Sequence, residues 1–276
     1  MFIKPMLLQK TNDPFDNDKY ITELKLDGIR IILSKWEGKV KLYTRHNNDV
    51  TSKFKELLDL NVPNGTVLDG EVVVTDPHTG KPDFEVTMER FMSLKTNHTI
   101  MFCIFDVLYW EGHKTTQMPL IERKKLLGEV LPSHPHVTPV KWIVGNGKAY
   151  FNLVKEQALE GVVFKRIDSI YQHKRSHDWL KCINYQFGSY FITGVRKDQF
   201  GVMLGKEENN KIINLGVMEF VPPEARKKIY RESNELITNE TDEWIFLKAK
   251  LQCEVKYRNL TKKGLLRIPS FVDWVS

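Results

Sequence analysis

Residues 20–45 read YITELKLDGIRIILSKWEGKVKLYTR, and the architecture follows most directly from this stretch. Apolar and polar residues alternate in three runs, which predict β-strands at Tyr20–Leu26, Ile29–Lys35 and Val40–Arg45. The segment Trp36–Lys39 separates the second and third runs and is typical of a tight hairpin turn. The stretch therefore predicts short strands, two of them joined as a hairpin.

Further apolar runs predict more strands and two helices. The predicted strands are Thr66–Val74, Thr99–Leu108, Gly161–Arg166 and Trp179–Ile183, and the predicted helices are Leu120–Leu131 and Ala149–Leu159. Strands outnumber helices, and the connections between them are irregular. This pattern indicates an α+β fold rather than a doubly wound parallel sheet.

The pattern of apolar runs in the sequence changes after Asn184. Apolar runs predict strands at Tyr190–Val195, Gly201–Leu204, Ile212–Met218, Trp244–Leu247 and Gln252–Tyr257, with a helix inserted over Pro222–Glu232. Five short strands and one helix are typical of a small Greek-key barrel of the oligonucleotide-binding (OB) type. We therefore expect two domains, residues 1–185 and residues 186–276.

The composition is that of a globular protein with an excess of positive charge. The chain has 276 residues with 41 Lys plus Arg and 35 Asp plus Glu, a net charge of +6. Near the C-terminus, only Glu254 and Asp273 oppose a basic cluster formed by Lys248, Lys250, Lys256, Arg258, Lys262, Lys263 and Arg267. A solvated surface and a phosphate-binding face both explain this cluster.

Several protein classes are excluded by composition. No apolar run approaches the roughly 18 residues of a membrane span, and Met1–Lys10 does not resemble a secretory signal. The cysteines Cys103, Cys182 and Cys253 are odd in number and far apart, which argues against a disulfide framework or a cysteine zinc site. We expect a cytoplasmic protein.

One segment carries a lysine suited to chemistry. In ELKLDGIR (Glu23–Arg30), strand alternation places Glu23 and Lys25 on one face, and Asp27-Gly28 predicts a turn that returns Arg30 towards Lys25. An amine attacks phosphorus when burial and cationic neighbours lower its pKa from roughly 10.4. Taken alone, the segment is more simply explained as a hairpin with exposed charges.

Other segments place functional side chains in or beside apolar strands. Glu71 interrupts the strand Thr66–Val74, and because burying an unpaired carboxylate is costly, we expect a metal, a lysine or a ribose hydroxyl beside it. Phe105 would stack on a base or pack in the core, and Glu160 and Lys165 flank another apolar run. Each segment alone is also explained by ordinary strands and strand ends.

The order of these segments resembles the signature motifs of the covalent nucleotidyltransferases, specifically the ATP-dependent DNA ligases. The similarity is greatest to the compact bacterial and phage type and to the ligase module of bacterial end-joining enzymes. The matches are K-x-D-G-x-R at Lys25–Arg30, an arginine at Arg45, D-G-E at Asp69–Glu71, F-D-x-L at Phe105–Leu108, E-G-x-x-x-K at Glu160–Lys165 and R-x-P-x-F at Arg267–Phe271. The resemblance spans essentially the whole chain. It implies an adenylation domain of antiparallel sheets with helices, followed by an OB-fold barrel.

The resemblance implies sealing of nicks in duplex DNA in three steps. Lys25 attacks the α-phosphate of ATP, forming a lysyl-AMP phosphoramidate and releasing pyrophosphate. The AMP then passes to the 5′-phosphate of the nick, and the 3′-hydroxyl finally displaces it; such covalent catalysis replaces one difficult step by easier ones. The resemblance also implies Mg²⁺, or Mn²⁺ in its place, and a monomer that acts on nicked duplex DNA without a membrane partner.

The resemblance also assigns roles to individual residues. Glu23 would accept a hydrogen bond from the adenine amine, and Phe105 and Val163 would cover the two faces of the ring. Arg30 and Glu71 would hold the ribose and phosphate region, and Lys165 and Lys181 would contact the AMP phosphate. Glu160, with Asp27, would hold the metal. Arg45 would bind the 5′-phosphate of the nick, and the duplex would be gripped by Lys248, Lys250, Lys256, Arg258, Lys262 and Lys263.

The last motif of the catalytic domain departs from the family pattern. Family members commonly carry Lys-x-Lys there, whereas this chain has only Lys181, followed by Cys182-Ile183. Either Lys165 and Lys181 suffice, or Arg267 acts catalytically and supplies the missing charge when the barrel closes over the nucleotide. We also expect no separate N-terminal DNA-encircling domain.

Two alternative functions stay open at this point. An RNA ligase or a capping guanylyltransferase shares the lysine motif, although the R-x-P-x-F ending favours a DNA ligase and a capping enzyme would use GTP. A non-catalytic nucleic-acid-binding protein with a degenerate nucleotide pocket belongs to another class. The joint presence of Lys25, Glu71 and Glu160 argues against it.

Overall fold

The structure is a computed structural model and describes residues 1–275. The chain divides into two compact units, Met1–Asn184 and Tyr185–Ser276. Each unit has a hydrophobic core of its own. None of the helices within residues 1–275 is long and apolar enough to cross a membrane.

The first unit consists mainly of strands. Its strands are β1 (Leu7–Lys10), β2 (Tyr20–Leu24), β3 (Ile29–Trp36), β4 (Lys39–Thr44), β5 (Thr66–Val74), β6 (Ile100–Trp110), β7 (His113–Lys114), β8 (Val137–Pro139), β9 (Trp142–Val144), β10 (Gly161–Arg166) and β11 (Arg175–Ile183). Its helices are α1 (Phe84–Met92), α2 (Leu120–Val130) and α3 (Gly147–Glu156).

These strands form two sheets. The first sheet has the strand order β1-β11-β10-β2-β9 and is antiparallel except where β1 pairs with β11. The second sheet has the order β4-β3-β5-β6-β7 and is antiparallel along this path, with β8 added parallel to β6. The predicted α+β class, with mainly antiparallel sheets, is confirmed.

Strand β3 connects two layers of core because both of its faces are buried. Ile31 and Leu33 pack into a cluster on the outer side of the second sheet. Ile32 points the opposite way and packs with Ile21 and Trp179 of the first sheet. Successive side chains of a strand alternate between faces, so one apolar run supplies the core on the outer side and the core between the sheets.

The hairpin between β3 and β4 has the predicted turn. Trp36 pairs with Lys39, and the two residues between them have positive φ angles, 51° at Glu37 and 73° at Gly38. Two central residues with positive φ are typical of a type I′ turn, whose twist matches that of the strands it joins.

The second unit is built around one long strand. Its elements are β12 (Gln186–Arg196), β13 (Val202–Glu208), β14 (Lys211–Met218), α4 (Pro223–Ser233), β15 (Ile237–Glu240), β16 (Trp244–Leu247), β17 (Gln252–Tyr257) and β18 (Ser270–Trp274). Strand β12 pairs with β13, with β17 along its first half and with β16 along its last residues. A strand shared in this way curls the sheet into the half-barrel of an OB-type fold, which confirms the predicted architecture.

The structure adds two strands to the five predicted in this unit. All four residues of β15 are exposed, and β18 has only five residues. Strand β15 contains one apolar residue, Ile237, so it lacks the apolar alternation from which a strand is predicted.

Candidate active site

A cleft in the first unit lies between its two sheets. Its lining residues are Leu8, Glu23, Leu24, Lys25, Leu26, Arg30, Glu71, Phe105, Val140, Val163, Lys165 and Trp179. Seven residues that the motifs assign to the nucleotide (Glu23, Lys25, Arg30, Glu71, Phe105, Val163 and Lys165) therefore share one cleft.

Lys25 lies directly after β2 and meets a carboxylate at the start of β10. Its Nζ donates a hydrogen bond to Glu160 Oε2 at 2.7 Å, and the backbone N of Lys25 donates to the carbonyl O of Gly161 at 2.9 Å. The Lys25 side chain is 17% exposed and that of Glu160 only 4%. The cleft therefore presents a partly accessible amine beside a buried carboxylate.

Two glycines permit the close approach of backbone segments at this site. A Cβ on Gly28 would lie 2.2 Å from the carbonyl O of Val72, and a Cβ on Gly70 would lie 2.7 Å from that of Cys103. Such distances exclude every residue larger than glycine unless the backbone moves. The glycines of the first and third motifs thus allow the segment after Lys25 to lie against β5, and β5 against β6.

Glu23 forms ion pairs with two lysines inside the cleft. Its Oε2 lies 2.7 Å from Lys165 Nζ, and its Oε1 is in contact with Lys124 Nζ of helix α2. The three side chains are at most 3% exposed. Burial lowers the pKa of Lys165 to about 8 because it disfavours the ammonium ion, although the attraction of Glu23 acts in the opposite direction.

The register of β10 places Lys165 far from Lys25. Lys25 is bonded to Gly161, whereas Lys165 pairs with Ile21 at the opposite end of both strands. Since a strand rises about 3.3 Å per residue, Gly161 and Lys165 lie about 13 Å apart along β10. This placement does not support the predicted contact of Lys165 with the AMP phosphate and puts the lysine beside Glu23 instead.

A β-bulge directs Phe105 into the cleft. Asp69 pairs with Asp106 and Gly70 with Ile104, so β6 carries Phe105 as an extra residue opposite β5. Bulges bend a strand and re-aim its side chains, and they are frequent beside active sites. The Phe105 ring lies 4.4 Å from Lys165 Nζ, at a distance typical of a cation–π contact.

A network of buried polar groups holds Arg30. Its guanidinium donates two hydrogen bonds to Asp69, at 2.9 and 2.6 Å, and a weaker one to the Tyr171 hydroxyl at 3.3 Å. The Tyr171 hydroxyl donates to Asp69 at 2.6 Å and accepts from the backbone N of Met6 at 3.0 Å. Arg30 and Glu71 are opposite one another in the register of β3 and β5.

Glu71 is half-buried near Lys25 and Arg30. Burial raises its pKa to about 7 because the carboxylate loses solvation, and the positive charges of Lys25 and Arg30 act in the opposite direction. The cleft therefore holds a carboxyl group that titrates near neutral pH.

The sequence matches a known protein family over most of the chain. The family model for the ATP dependent DNA ligase domain matches residues 5–182. The chain belongs to the ATP-dependent DNA ligase family. The resemblance drawn from the motifs is confirmed, and the protein is an ATP-dependent DNA ligase.

Two relatives illustrate the similarity in sequence. The SPbeta prophage-derived DNA ligase-like protein LigB of Bacillus subtilis is 50% identical over 275 residues, which cover 99% of each chain. The multifunctional non-homologous end joining protein LigD of Pseudomonas aeruginosa is 28% identical over 96% of this ligase but over only 34% of its own length. This ligase thus spans about a third of that relative.

Solved structures show the same fold at lower identity. A structure of mycobacterial DNA ligase D complexed with ATP and MES is 24% identical, with a TM-score of 0.61 over 99% of this ligase and 95% of that chain. A structure from a study of Lig E DNA ligases is 17% identical, with a TM-score of 0.70 over the full length of both chains.

The remaining residues predicted to hold nucleotide or metal lie around the cleft. Lys181 pairs with Val163 but lies on the next strand, β11, outside the lining. Ile183, at the position of the second lysine in the family motif, pairs with Gly161 beside Lys25. Asp27 lies between β2 and β3. Among residues 1–275, no three His, Cys, Asp or Glu side chains form a group that could hold a metal.

The predicted phosphate-binding arginine lies elsewhere in the first unit. Arg45 follows β4 and is exposed, and its Nε donates a hydrogen bond to His46 Nε2 at 2.9 Å.

In the second unit, four of the basic residues share one loop. The backbone N of Arg258 donates to the carbonyl O of Arg267 at 3.0 Å, and that of Arg267 donates to Asn259 O at 2.9 Å. These bonds close a hairpin that carries the exposed Lys262 and Lys263. Lys248 and Lys250 are exposed before β17, whereas Lys256 is on β17 and partly buried.

The motifs did not reveal the role of helix α2 in the site. Its buried residues are two leucines, Leu120 and Leu127, and two cations, Arg123 and Lys124. Arg123 forms a buried ion pair with Asp106, and Lys124 forms one with Glu23. Two cations at core positions of an amphipathic helix are a signal of buried acidic partners.

Proposed function

We propose that this ligase seals 5′-phosphate/3′-hydroxyl nicks in duplex DNA through a lysyl-AMP intermediate at Lys25. The main support is the partly exposed Lys25 amine, which lines the cleft and is hydrogen-bonded to the buried Glu160. In the first step, a bond forms between Lys25 Nζ and the α-phosphorus, the bond to pyrophosphate breaks, and Nζ gives up a proton. In the second and third steps, AMP passes to the DNA 5′-phosphate and is displaced by the 3′-hydroxyl.

The nucleotide would lie along strands β2 and β10. Glu23 would accept from the adenine amine, with the ring between Phe105 and Val163, all three of which line the cleft. Arg30 and Glu71 would hold the ribose and phosphates from the opposite sheet. Lys181 would approach the phosphates from β11. Because Lys165 lies beside Glu23, Lys165 would lie near the adenine base rather than near the phosphates.

A divalent metal would be held by Glu160, with Asp27. Magnesium is commonly bound by one or two carboxylates together with substrate phosphates, so the absence of a larger carboxylate group among the described residues is compatible with it. Glu160 is buried beside the nucleophile, where such a cation would meet the phosphates. When bound, Mg²⁺, or Mn²⁺ in its place, would offset the charge of the triphosphate.

DNA would be bound by basic residues of both units. Arg45 would bind the 5′-phosphate of the nick, since its exposed guanidinium can donate in a fork to phosphate oxygens. The hairpin with Arg258, Lys262 and Lys263, together with Lys248, Lys250 and Lys256, would neutralise phosphates of the duplex. Arg267 would assist adenylation.

We further propose the organisation and setting of this ligase. Residues 1–185 would form the adenylation domain and residues 186–276 the OB domain. It would act as a monomer in the cytoplasm of a bacterial or phage-infected cell.

Retention of label by denatured protein tests the proposal. Incubation with α-labelled ATP and Mg²⁺ should label the wild type and not Lys25→Ala. The matched control Lys125→Ala, which replaces an exposed lysine of α2, should label normally. Equal labelling of Lys25→Ala and the wild type would refute the role of Lys25.

Two further assays separate the alternatives. Labelling by GTP in preference to ATP would indicate a capping enzyme. Nicked duplex DNA should yield a sealed strand, whereas a mere binding protein would retard the duplex in a gel without sealing it. A panel of nicked, cohesive, blunt and RNA-containing substrates would then define the preferred substrate.

A further inference from the structure

The inner end of the cleft contains a group of three buried charges. Lys124 of α2 and Lys165 of β10 each contact a different oxygen of the Glu23 carboxylate, and all three side chains are at most 3% exposed. Lys165 Nζ also lies 4.4 Å from the Phe105 ring centroid and 4.2 Å from that of Trp179. Lys165 is thus fixed by a carboxylate and two rings, and Glu23 by two ammonium groups.

Lys124 differs from the other two members because it does not line the cleft. Glu23 and Lys165 are lining residues, whereas Lys124 reaches Glu23 from helix α2. A carboxylate offers about four acceptor sites and an ammonium three donors. With one ion pair each to Lys124 and Lys165, Glu23 keeps acceptor capacity for a ligand, and Lys165 keeps donor capacity.

An acceptor next to a donor matches the edge of adenine. Adenine presents its amino group, a donor, beside a ring nitrogen, an acceptor, whereas guanine presents the O6 acceptor in place of the amino group. The Glu23 carboxylate would pair with the adenine amine and repel the guanine oxygen. A site that hydrogen-bonds one polar group strongly rejects an analogue lacking it.

We propose that Lys124 is a positioning residue that fixes Glu23, so that Glu23 and Lys165 together select adenine over guanine nucleotides. This inference rests on the proposed nucleotide site. Without Lys124, one oxygen of Glu23 loses its partner and the carboxylate is free to turn towards Lys165. The acceptor is then no longer held where the adenine amine needs it.

Equilibrium binding of AMP and GMP tests this proposal without any chemical step. Calorimetry should show preferential binding of AMP to the wild type. Lys124→Met keeps the length of the side chain but removes its charge, and it should weaken AMP binding and lower the AMP-to-GMP preference by roughly tenfold or more. Lys124→Arg should restore most of the preference, and the exposed neighbour Lys125→Met should match the wild type.

A second background shows whether Lys124 acts through Glu23. In Glu23→Gln, the further change Lys124→Met should alter the AMP-to-GMP preference little, since the carboxylate is already absent. Thermal unfolding of each variant shows which variants are folded. The double variant Glu23→Gln/Lys124→Met lacks both charges of the ion pair between these two residues.

Three results would overturn the proposal. The first is equal binding of AMP and GMP by the wild type. The second is an unchanged AMP-to-GMP preference in folded Lys124→Met. The third is that Lys124→Met lowers this preference by the same factor in the wild type and in Glu23→Gln. Preferential AMP binding without labelling of Lys25 would instead refute the proposed lysyl-AMP chemistry and leave the base selection standing.

Discussion

Replacing Arg123 by methionine should strongly destabilise the first unit. The Arg123 guanidinium donates two hydrogen bonds to Asp106, at 2.8 and 2.9 Å, and both side chains are fully buried. Its Nη1 also donates to the carbonyl oxygens of Met118 and Ser169, at 2.6 and 3.1 Å. Arg123→Met would leave a buried carboxylate without its cation and remove a donor from two carbonyl oxygens.

The size of the effect follows from the loss of one partner only. Removing one member of a buried ion pair costs about 3–5 kcal/mol. For a unit of this length, each kcal/mol lowers the melting temperature by roughly 2–4 °C, so Tm should fall by roughly 10 °C. Because Asp106 follows Phe105 at the bulge of β6, the KM for ATP should also rise.

Chemical denaturation and thermal melting of the whole chain measure this loss. The double variant Arg123→Met/Asp106→Leu should recover most of the stability, since replacing both partners by apolar residues is often neutral. Lys125→Met, on the exposed face of the same helix, should change stability by less than about 0.5 kcal/mol. A loss below about 1 kcal/mol in Arg123→Met, or no recovery in the double variant, would refute this reasoning.

Three further predictions concern other polar groups. Arg267→Ala should impair adenylation of Lys25 more than sealing of pre-adenylated nicks, and equal losses in single-turnover assays of both reactions would contradict its proposed role. Tyr171→Phe should lower the free energy of unfolding by about 1–3 kcal/mol, because a buried hydroxyl that bonds Asp69 is lost; an unchanged denaturation midpoint would count against this. The pKa of Glu71 is raised to about 7, so the folded state binds more protons than the unfolded state and stability falls as pH rises from about 4.5 to 7. Glu71→Gln should lack this fall in a pH series of denaturation curves, and a wild-type pH dependence in the variant would refute the assignment.

Many local features could be predicted from the sequence. The bounds of β5, β10, β16 and β17 were predicted as the structure has them, because their apolar runs are bordered by polar or turn-forming residues. Helix α1 was missed, although Asp83 caps its N-terminus by accepting from the backbone N of Val86 at 3.0 Å. A helix of nine residues provides too few turns for its periodicity to be recognised.

The sequence by itself determined the chemical groups of the site and their order along the chain. Lys25, Glu71 and Glu160 could be singled out because a charged residue at an apolar strand needs a partner, and their order matches the ligase motifs. That order was sufficient to predict the family, and the pattern of apolar runs predicted the α+β class and the OB-type second unit.

Only the tertiary structure decided which of these groups meet. The pairing of Lys25 with Glu160 joins residues 135 positions apart, and the pairing of Lys124 with Glu23 brings a helix to a strand of the first sheet. Lys165 was predicted to contact the AMP phosphate, whereas the register of β10 places it beside Glu23. Ion pairs and strand register depend on partners remote in sequence, and local patterns of hydrophobicity contain no information about them.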